Sequence, residues 1–217
     1  MNGPADGYAI PAESVRTEDV ILGSRFIATL AHAPTADAAR AFLDQVRAEF
    51  PDATHHCWAF VAGPPGSTAS IGMSDAGEPH GTAGRPMLDV LLHSGIGEIA
   101  VVVTRYFGGT KLGTGGLVRA YSEAVRQVVD GVPRAEKVLT HTVMLGFPYS
   151  YLERVRLLVS AQNGKVLDED FATEVTLTAR LAVEHLPAFQ SSLSELTSGK
   201  VQAEIVETSE ILMPLKK

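Results

Sequence analysis

The chain is poor in cysteine, in long apolar runs and in positive charge, and each shortage excludes a class of protein. Cys57 is the only cysteine among 217 residues, so no disulfide can form within the chain. The apolar runs, such as residues 99–103, fall far short of the roughly 20 residues that span a bilayer. The first six residues lack a basic segment followed by an apolar core, so we expect no secretory signal. We therefore expect a soluble cytoplasmic protein with no membrane partner.

The charge balance argues against sequence-blind binding of nucleic acid. The net charge is −7, and residues 1–135 carry ten basic and fourteen acidic side chains. Residues 136–217 carry eight basic and eleven acidic side chains. Neither part has the positive excess that is usual in domains that bind through the phosphate backbone. A nucleic-acid contact must therefore come from a local patch.

The order of apolar patterns predicts an α+β chain of two domains. A hydrophobic content of 45% can build a core, and the length suits one large or two small domains. From residue 138 onward the patterns read strand, helix, strand, strand, helix, strand, which is the ferredoxin-like order. Gly131 and Pro133 end the helix before this part. We predict domains at residues 1–135 and 136–217.

Local signals predict where individual elements begin and end. Residues 1–18 are polar and read as a tail or a short edge segment, whereas residues 20–33 read as one strand. Thr35 is predicted to cap a helix. In the second half, Ser150 and Glu153 are predicted to form a capping box, and residues 168–170, Asp-Glu-Asp, are predicted to form a turn.

Residues 104–116, here called the second glycine-rich loop, carry the strongest functional pattern. They lie between a predicted buried strand and a predicted helix, where glycines expose consecutive N–H groups and the helix dipole favours an anion. No acid occurs between residues 105 and 119, and neither a P-loop nor a G-x-G-x-x-G motif is present. Alternatively, the glycines only let the strand pack on the helix. The residues predicted to bind an anion or nucleic acid are Arg105, Tyr106, Gly108, Gly109, Lys111, Gly113, Gly115 and Arg119.

Residues 74–84, here called the first glycine-rich loop, allow two interpretations. Asp75 and Glu78 could perform acid–base chemistry or bind a hard cation. We favour the alternative, in which Asp75 and Ser74 cap turns and Glu78 pairs with a nearby arginine, because no nucleophile is marked beside them. We expect no metal and no cofactor.

Cys57 and His55 fall on one face of a predicted strand. Such a pair could be catalytic or form half of a zinc site, but the chain has no second cysteine to complete that site. A lone cysteine on a core strand is usually a small buried hydrophobe. Together with the first loop, the secondary site candidates are His55, Cys57, Ser74, Asp75, Glu78, His80 and Thr82.

Several of these segments resemble the IMPACT/YigZ family, most strongly over residues 15–130. The longest matching run is Val-Val-Val-Thr-Arg-Tyr-Phe-Gly-Gly at residues 101–109, continuing through residues 111–121. Shorter matches are Ser-Arg-Phe-Ile at residues 24–27, the His55-x-Cys57-x-Ala59 pattern, and residues 74–79 with 81–84. Ala76 stands where the family usually has Asp, and His80 where it usually has Ser. Loss of the Asp weakens any metal or carboxylate-pair mechanism that depends on it.

The resemblance implies an N-terminal domain like domain 2 of ribosomal protein S5. It also implies a C-terminal ferredoxin-like domain similar to domain V of elongation factor G. Eukaryotic relatives regulate translation initiation through an extra N-terminal partner-binding domain, and we expect the bacterial type, without that domain and without an established enzyme activity. The protein partner therefore stays unknown, and the ribosome or structured RNA is the expected contact.

Three hypotheses follow from these patterns. The leading one is a translation-linked binding protein that contacts RNA phosphate or a ribosomal surface through the glycine-rich loops, so that we expect a binding protein rather than an enzyme. The second is a hydrolase acting on a phosphate or acyl substrate in the cleft of the N-terminal domain. The third is an interaction protein whose glycines are purely structural.

Overall fold

The computed structural model describes residues 7–214, which form an α+β chain with two sheets and five α-helices in this range. The backbone divides into a unit of residues 8–136 and a unit of residues 137–213, whereas the predicted boundary follows residue 135. Within the described range, no helix is both long enough and apolar enough to cross a bilayer. The strands are β1 (Tyr8–Pro11), β2 (Val15–Ile21), β3 (Ser24–His32), β4 (His55–Val61), β5 (Ile71–Ser74), β6 (Ile99–Tyr106), β7 (Arg134–Phe147), β8 (Lys165–Phe171), β9 (Val175–Ala182) and β10 (Glu204–Pro214). The helices are α1 (Ala36–Glu49), α2 (Gly84–Leu92), α3 (Gly113–Gly131), α4 (Leu152–Ala161) and α5 (Leu186–Thr197).

The N-terminal unit is built on a five-stranded antiparallel sheet with helices on both faces. The strand order is β2-β3-β6-β4-β5, so β6 is the central strand. Helices α2 and α3 pack against one face, which includes Phe26, Cys57 and Val101, while α1 packs against Val102 on the other. Burial on both faces explains why residues 99–103 form an unbroken apolar run.

The prediction of one strand at residues 20–33 is wrong, and of the two interpretations of residues 1–18 the short edge segment, not the tail, holds for residues 8–18, whereas residues 1–6 lie outside the described residues. Residues 8–11 and 15–21 are strands, and β2 joins β3 through a two-residue turn at Leu22 and Gly23. Both turn residues have positive φ, 48° and 82°, as expected for a hairpin turn that matches the twist of its strands. The charged residues of β2 concealed the strand because its side chains are only half buried.

The C-terminal unit has the predicted order of elements, strand, helix, strand, strand, helix, strand. Its sheet follows the order β10-β7-β9-β8, and α4 and α5 pack on one face against alternate residues of β9, including Val175, Leu177 and Leu181. The predicted turn at residues 168–170 is wrong, because these acidic residues belong to β8 and the chain reverses at residues 172–174. The predicted capping box is also absent, since α4 begins at Leu152 after a 3-10 turn without a side-chain cap.

Candidate functional site

The two glycine-rich loops meet at a buried ion pair between Arg105 and Glu78. Arg105 lies near the end of β6 and is 4% exposed, and its Nη1 donates to Glu78 Oε1 at 2.5 Å. The Tyr121 hydroxyl of α3 donates to the same oxygen at 2.8 Å. The favoured prediction that Glu78 pairs with a nearby arginine is therefore confirmed. The predicted surface role of Arg105 needs correction, because its charge is inside the unit and compensated.

Further contacts fix the Arg105 guanidinium in place. Its Nη2 donates to the Ser24 hydroxyl at 3.2 Å, and Phe26 and Phe107 lie 5.2 and 5.6 Å from it, measured from the guanidinium carbon to the ring centroids. Its Nε is buried and has no hydrogen-bond partner in the described chain. The ring faces can compensate part of that cost through cation–π attraction.

Asp75 organises the first glycine-rich loop from the N-terminus of α2. Its carboxylate accepts the backbone N–H groups of Gly81, Ala83 and Gly84 at 2.8–3.0 Å. Burial alone would raise the pKa of Asp75, but these three hydrogen bonds outweigh it and hold the pKa below its ordinary value. Ser74 accepts the Ala76 N–H at 3.1 Å, so the predicted turn-capping roles of both residues are confirmed.

The other first-loop candidates have structural partners or lie at the surface. The Thr82 hydroxyl is buried and donates to the Pro79 carbonyl at 2.6 Å. His80 is fully exposed, and its Nδ1 lies 3.7 Å from the Asp75 carboxylate. Nothing in this arrangement marks either residue as a catalytic group.

Cys57 and His55 each have a backbone carbonyl as hydrogen-bond partner. The Cys57 thiol is fully buried and donates to the Asp75 carbonyl oxygen at 2.9 Å, while burial raises its pKa to about 12. His55 Nδ1 lies 2.9 Å from the Ala76 carbonyl, and its Nε2 lies 4.0 Å from Glu78 Oε1. The prediction of a small buried hydrophobe at Cys57 is confirmed. No cluster of three metal-ligating side chains occurs among the residues that the structure describes.

The second glycine-rich loop is shorter than predicted, because α3 already begins at Gly113. Gly113 and Gly115 therefore lie in the first turn of α3, and Arg119 lies in its second turn. Helix α3 has no acid in its first turn, and no side chain of the described residues caps its start. Its first N–H groups consequently keep their affinity for an acceptor.

Two exposed cations accompany this uncapped helix end. Lys111 precedes α3 by two residues, and both Lys111 and Arg119 are exposed. Neither side chain forms an ion pair or hydrogen bond within residues 7–214. Gly109, at φ +86°, is exposed as well, and a Cβ there would lie within 4 Å of no atom in the part of the chain that the structure describes. The Tyr106 hydroxyl already has a hydrogen-bond partner, since it donates to Asp52 at 2.8 Å.

A cavity of about 310 Å³ opens between the buried ion pair and the start of α3. Four apolar side chains contribute to its wall, and Phe107, one of them, is 46% exposed. The sequence analysis did not select these four apolar residues as site residues. Their position within the segments that resemble the IMPACT/YigZ family is the signal that could have indicated them. The cavity is lined by Glu78, Pro79, Arg105, Phe107, Lys111, Leu112, Gly113, Thr114 and Leu117.

A wider cleft of about 790 Å³ lies between α2 and α3 in the same unit. Two of its arginines are paired at the surface, Arg85 with Asp89 at 3.0 Å and Arg126 with Glu123 at 3.4 Å. These two positive charges of the cleft are thus compensated by neighbouring carboxylates.

Comparison with known proteins relates both parts of the chain to one family. Residues 22–129 match the family model described as the Impact N-terminal domain, and residues 145–200 match a domain of unknown function, DUF1949. The chain is 41% identical over 202 residues to the IMPACT family member YigZ of Escherichia coli strain K12, covering 93% of this chain and 99% of that protein. It is 33% identical over 193 residues to the IMPACT family member YvyE of Bacillus subtilis strain 168, covering 89% of this chain and 88% of that protein.

A solved structure agrees with this assignment. A chain described as the crystal structure of an hypothetical protein is 41% identical and superposes with a TM-score of 0.63, covering 93% of this chain and 98% of that one. Because these matches extend over nearly the whole length of the relatives, the similarity is not confined to one motif. The chain therefore belongs to the IMPACT family.

Proposed function

We propose that this chain is a translation-linked binding protein that contacts RNA phosphate or a ribosomal surface at the start of α3. The observation that carries the proposal is the N-terminus of α3, which has no side-chain cap within residues 7–214, accompanied by the exposed cations Lys111 and Arg119, which have no ion-pair partner in that range. Backbone N–H groups and a positive helix end attract phosphate oxygens, and nearby lysine or arginine adds to that attraction. The net charge of −7 makes this local site, rather than the whole surface, the source of affinity.

Family membership supports the proposal by analogy of fold. The resemblance implies a first domain like domain 2 of ribosomal protein S5 and a second like domain V of elongation factor G, and both of those domains work on the ribosome. Fold analogy raises the expectation of a role without assigning it. We accordingly propose the cytoplasm as the place where the protein acts.

The alternative function, a hydrolase for a phosphate or acyl ester, has no observation in its favour. Its nucleophile would be Cys57, whose thiol is buried and has a raised pKa of about 12. A cysteine nucleophile needs its thiolate form and access to substrate. Asp75, its candidate acid–base group, already accepts three backbone N–H groups.

The decisive experiment is co-sedimentation with ribosomes across a salt series. The test variant is Lys111→Ala/Arg119→Ala, which removes two exposed cations without touching the buried Arg105. The control is Lys200→Ala/Arg40→Ala, which removes two exposed cations elsewhere and leaves the same net charge. We expect binding that weakens with salt and a slope reduced by about one for each phosphate-contacting cation lost in the test variant. Equal binding by both variants would refute the proposed site.

A further inference from the structure

One of the side chains that line the cavity between the ion pair and α3, Glu78, has an open hydrogen-bond acceptor. Glu78 Oε1 accepts from Arg105 and Tyr121, whereas Glu78 Oε2 accepts no hydrogen bond within residues 7–214. The side chain is 3% exposed, and it is one of the groups that line the cavity. Because this oxygen has no partner among the described residues and its side chain lines the cavity, a ligand with N–H donors can bond to it.

The walls of the cavity suit a flat heterocycle. Pro79, Leu112 and Leu117 contribute apolar surface, and Phe107 is half exposed at the cavity. The Arg105 guanidinium lies 5.6 Å from the Phe107 ring and supports that ring from inside the unit. Unpaired bases of RNA stack on exposed aromatic rings of this kind. The volume of about 310 Å³ is at the lower end of the range for ligand cavities, which favours one base over a larger ligand.

We infer that this cavity receives an unpaired guanine base of the RNA whose phosphate lies at the start of α3. Guanine presents two adjacent N–H donors, at N1 and N2, which a carboxylate can accept together. Adenine, uracil and cytosine place an acceptor next to their donor on the same edge, and the Glu78 carboxylate repels such an acceptor. Lys111 and Thr114 line the same cavity and can donate to guanine O6 and N7, the acceptors that basic side chains usually contact.

This inference rests on the proposed RNA contact and is tested separately from it. Labelled oligouridylates with one central guanosine, inosine, N1-methylguanosine, adenosine or abasic site are titrated with the protein, and fluorescence anisotropy measures affinity. These changes are made in the RNA because Glu78 variants leave Arg105 unpaired and endanger folding. We expect guanosine to bind about tenfold or more tightly than the other four, since each good base contact gives discrimination of this order.

The protein side of the test uses Phe107→Ala, with Phe171→Ala as a matched control at an exposed phenylalanine of the other unit. Phe107→Ala is expected to lose most of the advantage of guanosine over the abasic site, and Phe171→Ala to keep it. Equal affinity for all five RNAs, or an unchanged guanosine advantage in Phe107→Ala, overturns the guanine site alone while ribosome binding persists. If the wild-type protein binds neither these RNAs nor ribosomes, the proposed function is overturned as well.

Discussion

Gly108 lies so close to Gly23 that a side chain cannot fit between them. A Cβ on Gly108 would lie 2.0 Å from the Gly23 carbonyl carbon and 2.4 Å from the Ser24 backbone nitrogen. The Gly108 N–H also donates to the Ser24 hydroxyl at 3.1 Å. This contact attaches the second glycine-rich loop to the β2–β3 turn, so Gly108 has a packing role in addition to any role in binding.

Gly108→Ala should therefore destabilise the protein. Backbone atoms on both sides must move to admit the methyl group, and we expect a loss of about 1–3 kcal/mol in the free energy of unfolding. Gly115→Ala is the control, because a Cβ at Gly115 would meet no described atom within 4 Å and alanine favours a helix. Urea unfolding followed by circular dichroism compares the two variants. A Gly108→Ala protein as stable as Gly115→Ala would contradict the packing argument.

Arg105→Met should cost about 3–5 kcal/mol of unfolding free energy, because it leaves the Glu78 carboxylate buried without its cation. The double variant Arg105→Met/Glu78→Leu removes both charges and should be less destabilised than the sum of the single variants. The same urea titrations measure the free energy of unfolding of Arg105→Met, Glu78→Leu and the double variant. Strictly additive losses would show that the two side chains do not stabilise each other.

Asp75→Ala should destabilise the protein by about 1–2 kcal/mol at neutral pH, as loss of a helix cap does. Its lowered pKa fixes the direction of the pH dependence. The contribution of Asp75 is complete above the unfolded value of about 3.9 and disappears as pH falls through the lower folded value. The stability gap between wild type and Asp75→Ala should accordingly close below about pH 4.

Urea unfolding at a series of pH values tests this expectation. Asp44→Ala is the control, since Asp44 is 74% exposed and pairs at the surface with Arg47 at 3.6 Å. A gap that stays constant down to acid pH would mean that the Asp75 carboxylate is not the group responsible.

Cys57 should be inert towards thiol reagents in the folded protein. Its thiol has no solvent exposure and a pKa raised to about 12, so hardly any thiolate is present or reachable at pH 8. Reaction with Ellman's reagent should be slow in buffer and complete after unfolding in guanidinium chloride. Rapid stoichiometric reaction of the native protein would reopen a catalytic role for Cys57.

The sequence predicted the elements best where one short-range signal decides the local structure. Thr35 caps α1 as expected, its hydroxyl accepting the Ala38 N–H at 3.1 Å. The acidic residues 168–170 misled the prediction because an exposed edge strand and a turn have the same composition. In β8, Glu169 is held by two hydrogen bonds from Arg156 of α4, a long-range pairing that no local pattern displays.

The candidate site was predictable as a segment but not as a set of roles. The sequence correctly predicted an irregular loop between β6 and a following helix, although α3 begins at Gly113 and not after Gly116. Counting charges could not show that Arg105 is neutralised by Glu78, which lies 27 positions earlier in the chain. The sequence alone does not distinguish an exposed phenylalanine at position 107 from a core phenylalanine. The distinction needs the end of β6, which the structure places at Tyr106.

The ion pair also affects how the site would respond to a ligand. Arg105 belongs to β6, Glu78 to the first glycine-rich loop and Tyr121 to α3, and all three meet at one carboxylate oxygen. The cavity is thus preorganised: the entropy of ordering its loops is lost when the chain folds and not when the ligand arrives. We expect association to resemble rigid docking, with little change in backbone conformation and with most differences among ligands appearing in the dissociation rate.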